Sequence, residues 1–207
     1  RRRAAGSHFG SSKQLGSSYL PACRRTRLVL APPRSLYSGA MAEEEGSWDQ
    51  TLEEWVLSEG FCYAAALCQI ADGAFYAAAP VAEEAGWGFV YKEDHEEDIL
   101  QDDDSTKKMT INEATCILSL VNTGKAPPGG LWIGGSKYSV VQYDAAFESG
   151  DATLVVCSAA RPKKGVHLVS TGSQIVAAFY DEEKNQTAGN AKKTALAFAE
   201  YLKGIGY

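Results

Sequence analysis

The sequence predicts an α+β fold in which a central antiparallel sheet lies between an N-terminal and a C-terminal helix. Apolar residues recur with helical spacing after Ser47, and an Ala-rich helical pattern covers residues 188–203. Between these helices, short β-branched or aromatic segments are separated by Gly, Pro, Asp and Ser, at residues 131–133, 137–143, 153–159, 166–171 and 174–180. Strand runs enclosed by helices are typical of the α+β class, and the successive strands predict an antiparallel meander.

The first predicted helix begins after Ser47 and ends near Gly60. Ser is a favourable N-cap, and the acids that follow it suit the positive end of a helix dipole. The helical spacing is carried by Trp48, Leu52, Trp55 and Val56. Two strands, residues 62–70 and 74–79, then predict a hairpin around the turn Ala71-Asp72-Gly73.

An acidic segment, residues 83–108, follows this hairpin. Its apolar content is too low for deep burial, so an exposed hairpin or loop is expected. The acidic arm within it, residues 91–104, is interpreted either as a solubilising loop or as a recognition surface. Residues 111–121 return to a helical pattern that ends at Gly124 and the Pro127-Pro128-Gly129-Gly130 sequence.

Charge divides the chain into two parts. The whole chain carries −6, whereas residues 1–40 hold seven Arg, one Lys and no acid, which leaves −14 for the rest. Clustered Lys and Arg are needed to bind phosphates, so the acidic part excludes nucleic acid as a probable partner. No stretch approaches the roughly 20 apolar residues of a transmembrane helix.

The N-terminal residues 1–40 are rich in Arg, Ser and Gly and lack the apolar centre of a secretory signal. Met41 is a plausible start residue, followed by an ordinary acidic N-terminus. We therefore expect residues 1–40 to be disordered or absent from the mature protein, as translated upstream sequence or, alternatively, as an organelle-targeting segment. Residues 41–207 form the predicted domain.

Five cysteines without CxxC spacing indicate free thiols in a reducing compartment, namely Cys23, Cys62, Cys68, Cys116 and Cys157. The His residues have no Cys or His partner at ligand spacing, so no metal site and no cofactor are predicted. Phosphate-loop spacing, a calcium loop and a Ser, His and Asp arrangement are all missing from the sequence. A catalytic role is therefore not expected.

Several motifs together resemble the profilin family, and most of all its apicomplexan parasite branch. They are Trp48, Asp72-Gly73, Gly134-Gly135-Ser136-Lys137-Tyr138, Ala178-Phe179-Tyr180-Asp181-Glu182-Glu183 and Ala199-Glu200-Tyr201-Leu202. The resemblance spans residues 41–207. It implies a profilin-like central antiparallel sheet with the N- and C-terminal helices on one face and shorter helical segments on the other.

The resemblance implies a protein that binds monomeric actin, regulates actin polymerisation and docks on proline-rich partners such as formins. It would act as a cytoplasmic, cytoskeleton-associated monomer with no more than weak phosphoinositide binding. Two alternatives stay open: a proline-motif adaptor with weak or no actin binding, and a small-molecule-binding or catalytic domain that shares only the layout.

Polyproline II segments expose flat ring surfaces and backbone carbonyls, so they call for aromatic side chains that also donate hydrogen bonds. By motif position, the expected polyproline-binding residues are Trp48, Tyr76, Tyr201 and Tyr207. Trp55 is expected to pack in the core instead. Thr51 stands where many profilins have Tyr, which predicts somewhat weaker proline binding.

The expected actin-binding residues are basic or lie beside basic residues in the C-terminal half: Lys137, Tyr138, Arg161, Lys163, Lys164 and His167. Lys137 belongs to the Gly-Gly-x-Lys-Tyr motif of the family's actin surface. Gln142 replaces the Arg that many profilins have, and Lys192 replaces a frequent Asn. These two departures predict a lower affinity for actin.

Overall fold

A computed structural model describes residues 47–100 and 105–207, and its centre is a seven-stranded antiparallel sheet with the spatial order β2-β1-β9-β8-β7-β6-β5. The strands β3 and β4 form a separate hairpin. The bounds are β1 (Ala64–Gln69), β2 (Phe75–Ala79), β3 (His95–Leu100), β4 (Thr106–Ile111), β5 (Leu131–Ile133), β6 (Ser136–Ser149), β7 (Ala152–Arg161), β8 (Lys164–Ser170) and β9 (Gln174–Asp181). Strands β5 to β9 are the predicted meander.

Helices cover both faces of the sheet. Helix α1 (Trp48–Leu52), a π-helical turn (Glu53–Leu57) and α4 (Ala188–Gly204) pack on one face around Leu52, Val56 and Phe198. Helices α2 (Ala85–Val90) and α3 (Glu113–Thr123) pack on the other face. This confirms the α+β arrangement that the resemblance implied.

The local signals at the helix starts act as predicted. Ser47 Oγ accepts a hydrogen bond from the backbone N–H of Gln50 at 3.3 Å, as an N-cap does. Helix α3 starts at Glu113 rather than at Ile111, because Ile111 is still paired with His95 at the end of β4. Asn112 between them caps the helix.

The acidic segment differs from the expectation in two ways. It contains the short helix α2, and the β3–β4 hairpin buries Ile99 and Ile111 almost completely. Alternation along the hairpin directs these side chains inward, where they approach Gly129 on the loop before β5. The hairpin is present and most of its positions are exposed, as expected, whereas the expectation of shallow packing is wrong for Val90 in α2 and Ile99 in β3.

Two acids near the start of the domain attach α1 and the π-helical turn to the edge strand β2 and the residues just after it. Asp49 accepts a hydrogen bond from the Ala78 N–H at 2.7 Å, and Glu53 accepts one from the Val81 N–H at 3.0 Å. Unpaired N–H groups at a sheet edge are otherwise exposed to other chains. These contacts fix α1 beside β2 and thereby determine where the aromatic residues of both elements meet.

Some predictions fall outside the described residues, namely those for residues 1–40, Cys23, Met41 and the end of the acidic arm at residues 101–104. The four cysteines that the structure describes are free and buried. Across the described residues, no helix is long and apolar enough to cross a membrane.

Candidate partner-binding surfaces

An aromatic surface formed by Trp48, Trp55, Tyr76, Tyr201 and Tyr207 lies where α1, α4 and β2 meet. The Trp48 and Tyr207 rings are in edge contact, with centroids 5.2 Å apart. The Trp55 and Tyr201 rings stack at 4.5 Å. The structure thus brings the four predicted polyproline-binding residues into one region.

The end of α4 holds Tyr207 in place. Gly206 has a positive φ of 94°, and the Tyr207 N–H donates to the Leu202 carbonyl at 2.9 Å. A positive φ is readily adopted by glycine, so this residue permits the chain to turn back at the end of the helix. The turn directs the Tyr207 ring towards Trp48.

Tyr76 contributes a phenol with an unused hydrogen-bonding group. Its hydroxyl is buried and has no hydrogen-bond partner among the described residues. Burial, and secondarily the neighbouring Tyr207 phenol, raise the pKa of Tyr76 well above its usual value. The hydroxyl therefore stays protonated, and leaving it unsatisfied is unfavourable by about 1–3 kcal/mol.

Trp55 corrects the sequence prediction. It was expected in the core, but its side chain is 46% exposed. The core positions of this segment are Leu52 and Val56, whereas Trp48 and Trp55 share a different face because they are seven residues apart. That face points towards Tyr201 and Tyr207, so the spacing itself contained the signal that Trp55 belongs to the aromatic surface.

A basic end of the sheet is formed by Lys137, Arg161, Lys163 and Lys164. The register pairs Ser139 with Ala160 and Arg161 with Lys164, which places the start of β6 beside the β7–β8 turn. Lys163 pairs with Glu183 at 2.6 Å and Lys164 with Asp181 at 2.9 Å. Lys137 is exposed and makes no ion pair among the described residues, so its charge is available to a partner.

Two of the predicted actin contacts, Tyr138 and His167, are buried and only 4% exposed. The Arg161 guanidinium lies 5.4 Å from the centre of the Tyr138 ring, and burial raises the pKa of this tyrosine to about 12. His167 stacks on Tyr180 at 5.4 Å. Both side chains therefore support the sheet from within rather than facing a partner.

His167 links β8 to the start of α4 in its neutral form. Its Nε2–H donates to the Ala188 carbonyl, and its Nδ1 accepts from the Ser158 hydroxyl, each at 2.9 Å. Burial lowers the pKa of His167 to about 4. A proton on Nδ1 would break the bond from Ser158 and place a charge in the core.

Acidification is expected to destabilise the protein through His167. The unfolded chain takes up a proton near pH 6.5 and the folded chain only near pH 4, so the free energy of unfolding should fall by about 2–3 kcal/mol as the pH drops through this interval. Urea unfolding of the wild type and of His167→Gln at several pH values measures this fall in the free energy of unfolding. The difference in the free energy of unfolding between the wild type and His167→Gln should shrink as the pH falls. A constant difference would contradict the role given to His167 in this pH dependence.

A second polar contact lies beside the basic end. Lys192 on α4 donates to Gln142 Oε1 at 3.4 Å, and its ammonium lies 4.9 Å from the centre of the Phe147 ring. Val141, next to Gln142 on β6, is 68% exposed. Lys192 thus presents a cation over the exposed surface of β6.

The fold and these surfaces define a helix-flanked antiparallel-sheet protein with an aromatic surface at one sheet edge and a basic end towards the other. A family model described as Profilin matches residues 46–207. The chain is similar to profilins of Plasmodium falciparum, at 36% identity, and Plasmodium berghei, at 34%; each match covers 77% of this chain and 96% and 94% of the relative.

Solved profilin structures share the fold. Profilin IB of Acanthamoeba castellanii has a TM-score of 0.53 at 20% identity, and Schizosaccharomyces pombe profilin has 0.52 at 21%, each covering 78% of this chain and 100% of the other. The chain belongs to the profilin family. The Plasmodium relatives also confirm the resemblance to the apicomplexan branch.

Proposed function

We propose that this protein binds monomeric actin through the basic end and the adjacent face of β6, and docks on proline-rich segments of the formin type through the aromatic surface. It acts without catalysis, as a cytoplasmic regulator of actin polymerisation. The observation that carries the proposal is the separation of the two surfaces. Tyr76 lies on β2 and Lys137 on β6, five strand intervals apart, or about 24 Å at about 4.8 Å per interval.

The aromatic surface has the chemistry that a polyproline II helix needs. Proline rings pack on flat aromatic faces, and the ligand's carbonyls accept hydrogen bonds from tyrosine or tryptophan. Tyr201 and Tyr207 carry hydroxyls and Trp48 an indole N–H that can donate to such carbonyls, and none of these three residues is buried. Thr51 adds no ring, so the remaining aromatic residues carry the affinity.

The actin side depends on a few cations in an otherwise acidic domain. Lys137 makes no ion pair within the part of the chain that the structure describes, and Lys192 reaches Gln142, where many profilins carry Arg. We infer that Lys192 supplies from α4 the charge that β6 lacks, so the Gln142 substitution weakens actin binding less than the sequence alone indicated. Lys163 and Lys164 are already paired with acids, which supports weak phosphoinositide binding at most.

Simultaneous occupancy of the two surfaces gives the protein its role. A formin-type partner that holds the aromatic surface keeps the bound actin close to a filament end, which raises the local actin concentration. Modest affinities on both sides are sufficient for this purpose.

Sedimentation of filamentous actin at steady state, with increasing amounts of the full chain, tests the actin half. Unpolymerised actin should rise with the wild type and about tenfold less steeply with Lys137→Glu, because a repulsive charge then faces the acidic partner. Lys125→Glu, at an exposed position just after α3, is the matched charge reversal and should behave as the wild type.

The outcomes separate the candidate functions. A rise that is equal for Lys137→Glu and the wild type would relocate the actin site. If actin is unaffected by any of the proteins while proline-rich peptides still bind, the protein is a proline-motif adaptor. Gln142 and the charge of −14 on residues 41–207 favour that second candidate.

A further inference from the structure

A cavity of about 310 Å³ continues the aromatic surface, and we propose that it is a subsite for an uncharged apolar side chain next to the proline run of a bound peptide. The proposal rests on the proposed proline-binding function and adds a sequence preference to it. The cavity is lined by Trp55, Glu59, Phe61, Asn190, Lys193, Thr194 and Ala197.

The cavity is continuous with the aromatic surface through Trp55. This indole stacks on Tyr201 at 4.5 Å and also forms one wall of the cavity. On α4, positions 190, 194, 197 and 201 follow helical spacing, so the cavity and Tyr201 lie along one stripe of the helix. A peptide lying along this stripe passes from the aromatic surface directly into the cavity.

Helix geometry gives the spacing of the preferred residue. Seven residues separate Thr194 from Tyr201, which is about 10 Å at about 1.5 Å per residue. A polyproline II segment covers that distance in about three residues, at about 3.1 Å each. The subsite therefore contacts a side chain about three positions from the proline that packs on Tyr201.

The walls and the rim determine which side chain fits. Trp55, Phe61 and Ala197 supply apolar walls, whereas Glu59 and Lys193 place opposite charges beside them. Neither of these charged groups forms an ion pair among the described residues. An acidic or basic ligand side chain would be attracted by one and repelled by the other, so an uncharged apolar side chain such as Leu is favoured.

The test compares a ten-residue polyproline peptide with versions that carry one Leu at successive positions. Calorimetric titration of the full chain should show about tenfold tighter binding for the best-placed Leu, the factor expected when such a side chain leaves water. Ala197→Phe, which fills the cavity from an exposed position of α4, should remove this gain. Ala74→Phe adds the same ring at the β1–β2 turn and should keep it.

The readout is the ratio of the affinity for the best Leu-containing peptide to the affinity for the all-proline peptide. A general loss of proline binding would lower both affinities and leave this ratio unchanged. Phe61→Ser, which removes a cavity wall, is a second variant that should also lower the ratio. A ratio near one in the wild type, or one that survives both variants, would overturn the subsite and leave proline binding intact. If no peptide binds the wild type, the proline half of the proposed function fails and the subsite fails with it.

Discussion

Glu113→Gln is expected to lower the free energy of unfolding by about 3 kcal/mol. The Glu113 side chain is only 2% exposed, and its carboxylate accepts hydrogen bonds from three backbone N–H groups. They belong to Lys92 at 3.0 Å, Gly134 at 3.0 Å and Gly135 at 2.6 Å. A glutamine amide would turn a donor towards at least one of these donors and leave it unsatisfied in the interior.

Urea unfolding at neutral pH measures this change. Glu148→Gln, at an exposed position of β6, is the matched control and should change the stability by less than about 0.5 kcal/mol. Because Gly134 and Gly135 form the turn that leads into Lys137, Glu113→Gln should also weaken actin binding. Equal stabilities of the two variants would show that the three N–H groups find other partners.

Trp48→Ala is expected to weaken binding to a ten-residue polyproline peptide by about a hundredfold. The substitution removes the largest ring of the Trp48–Tyr207 pair and the partner that orients Tyr207. Loss of a buried aromatic anchor from a binding surface typically weakens binding by about 2–4 kcal/mol. Calorimetric titration of the full-length variant gives the change directly.

Two comparisons complete this experiment. Trp48→Phe keeps an aromatic face and should recover much of the affinity, whereas Trp87→Phe, on α2 at the other face of the sheet, should bind as the wild type. Actin sedimentation with Trp48→Ala should be unchanged, because the basic end lies several strands away. Full peptide affinity in Trp48→Ala would exclude the aromatic surface as the proline site.

Much of the fold could be predicted because its signals are local. The Ser47 cap, the Asp72-Gly73 turn and the stripe along α4 depend on residues within a few positions of each other. The short helix α2 was missed because six residues with two glycines carry too little helical periodicity. Burial of Ile99 was missed because it depends on core residues that are distant in the sequence, among them Trp132 on β5.

The sequence by itself determined the two terminal helices, the strands of the main sheet, the family, and the aromatic and basic residues from which the surfaces are made. Only the tertiary structure decided which of these residues are exposed and which are buried. Helices cover both faces of the sheet, so alternation along β8 does not distinguish inside from outside, and His167 is buried. Glu113, Trp55 and Lys192 likewise acquire their roles from neighbours that folding brings together.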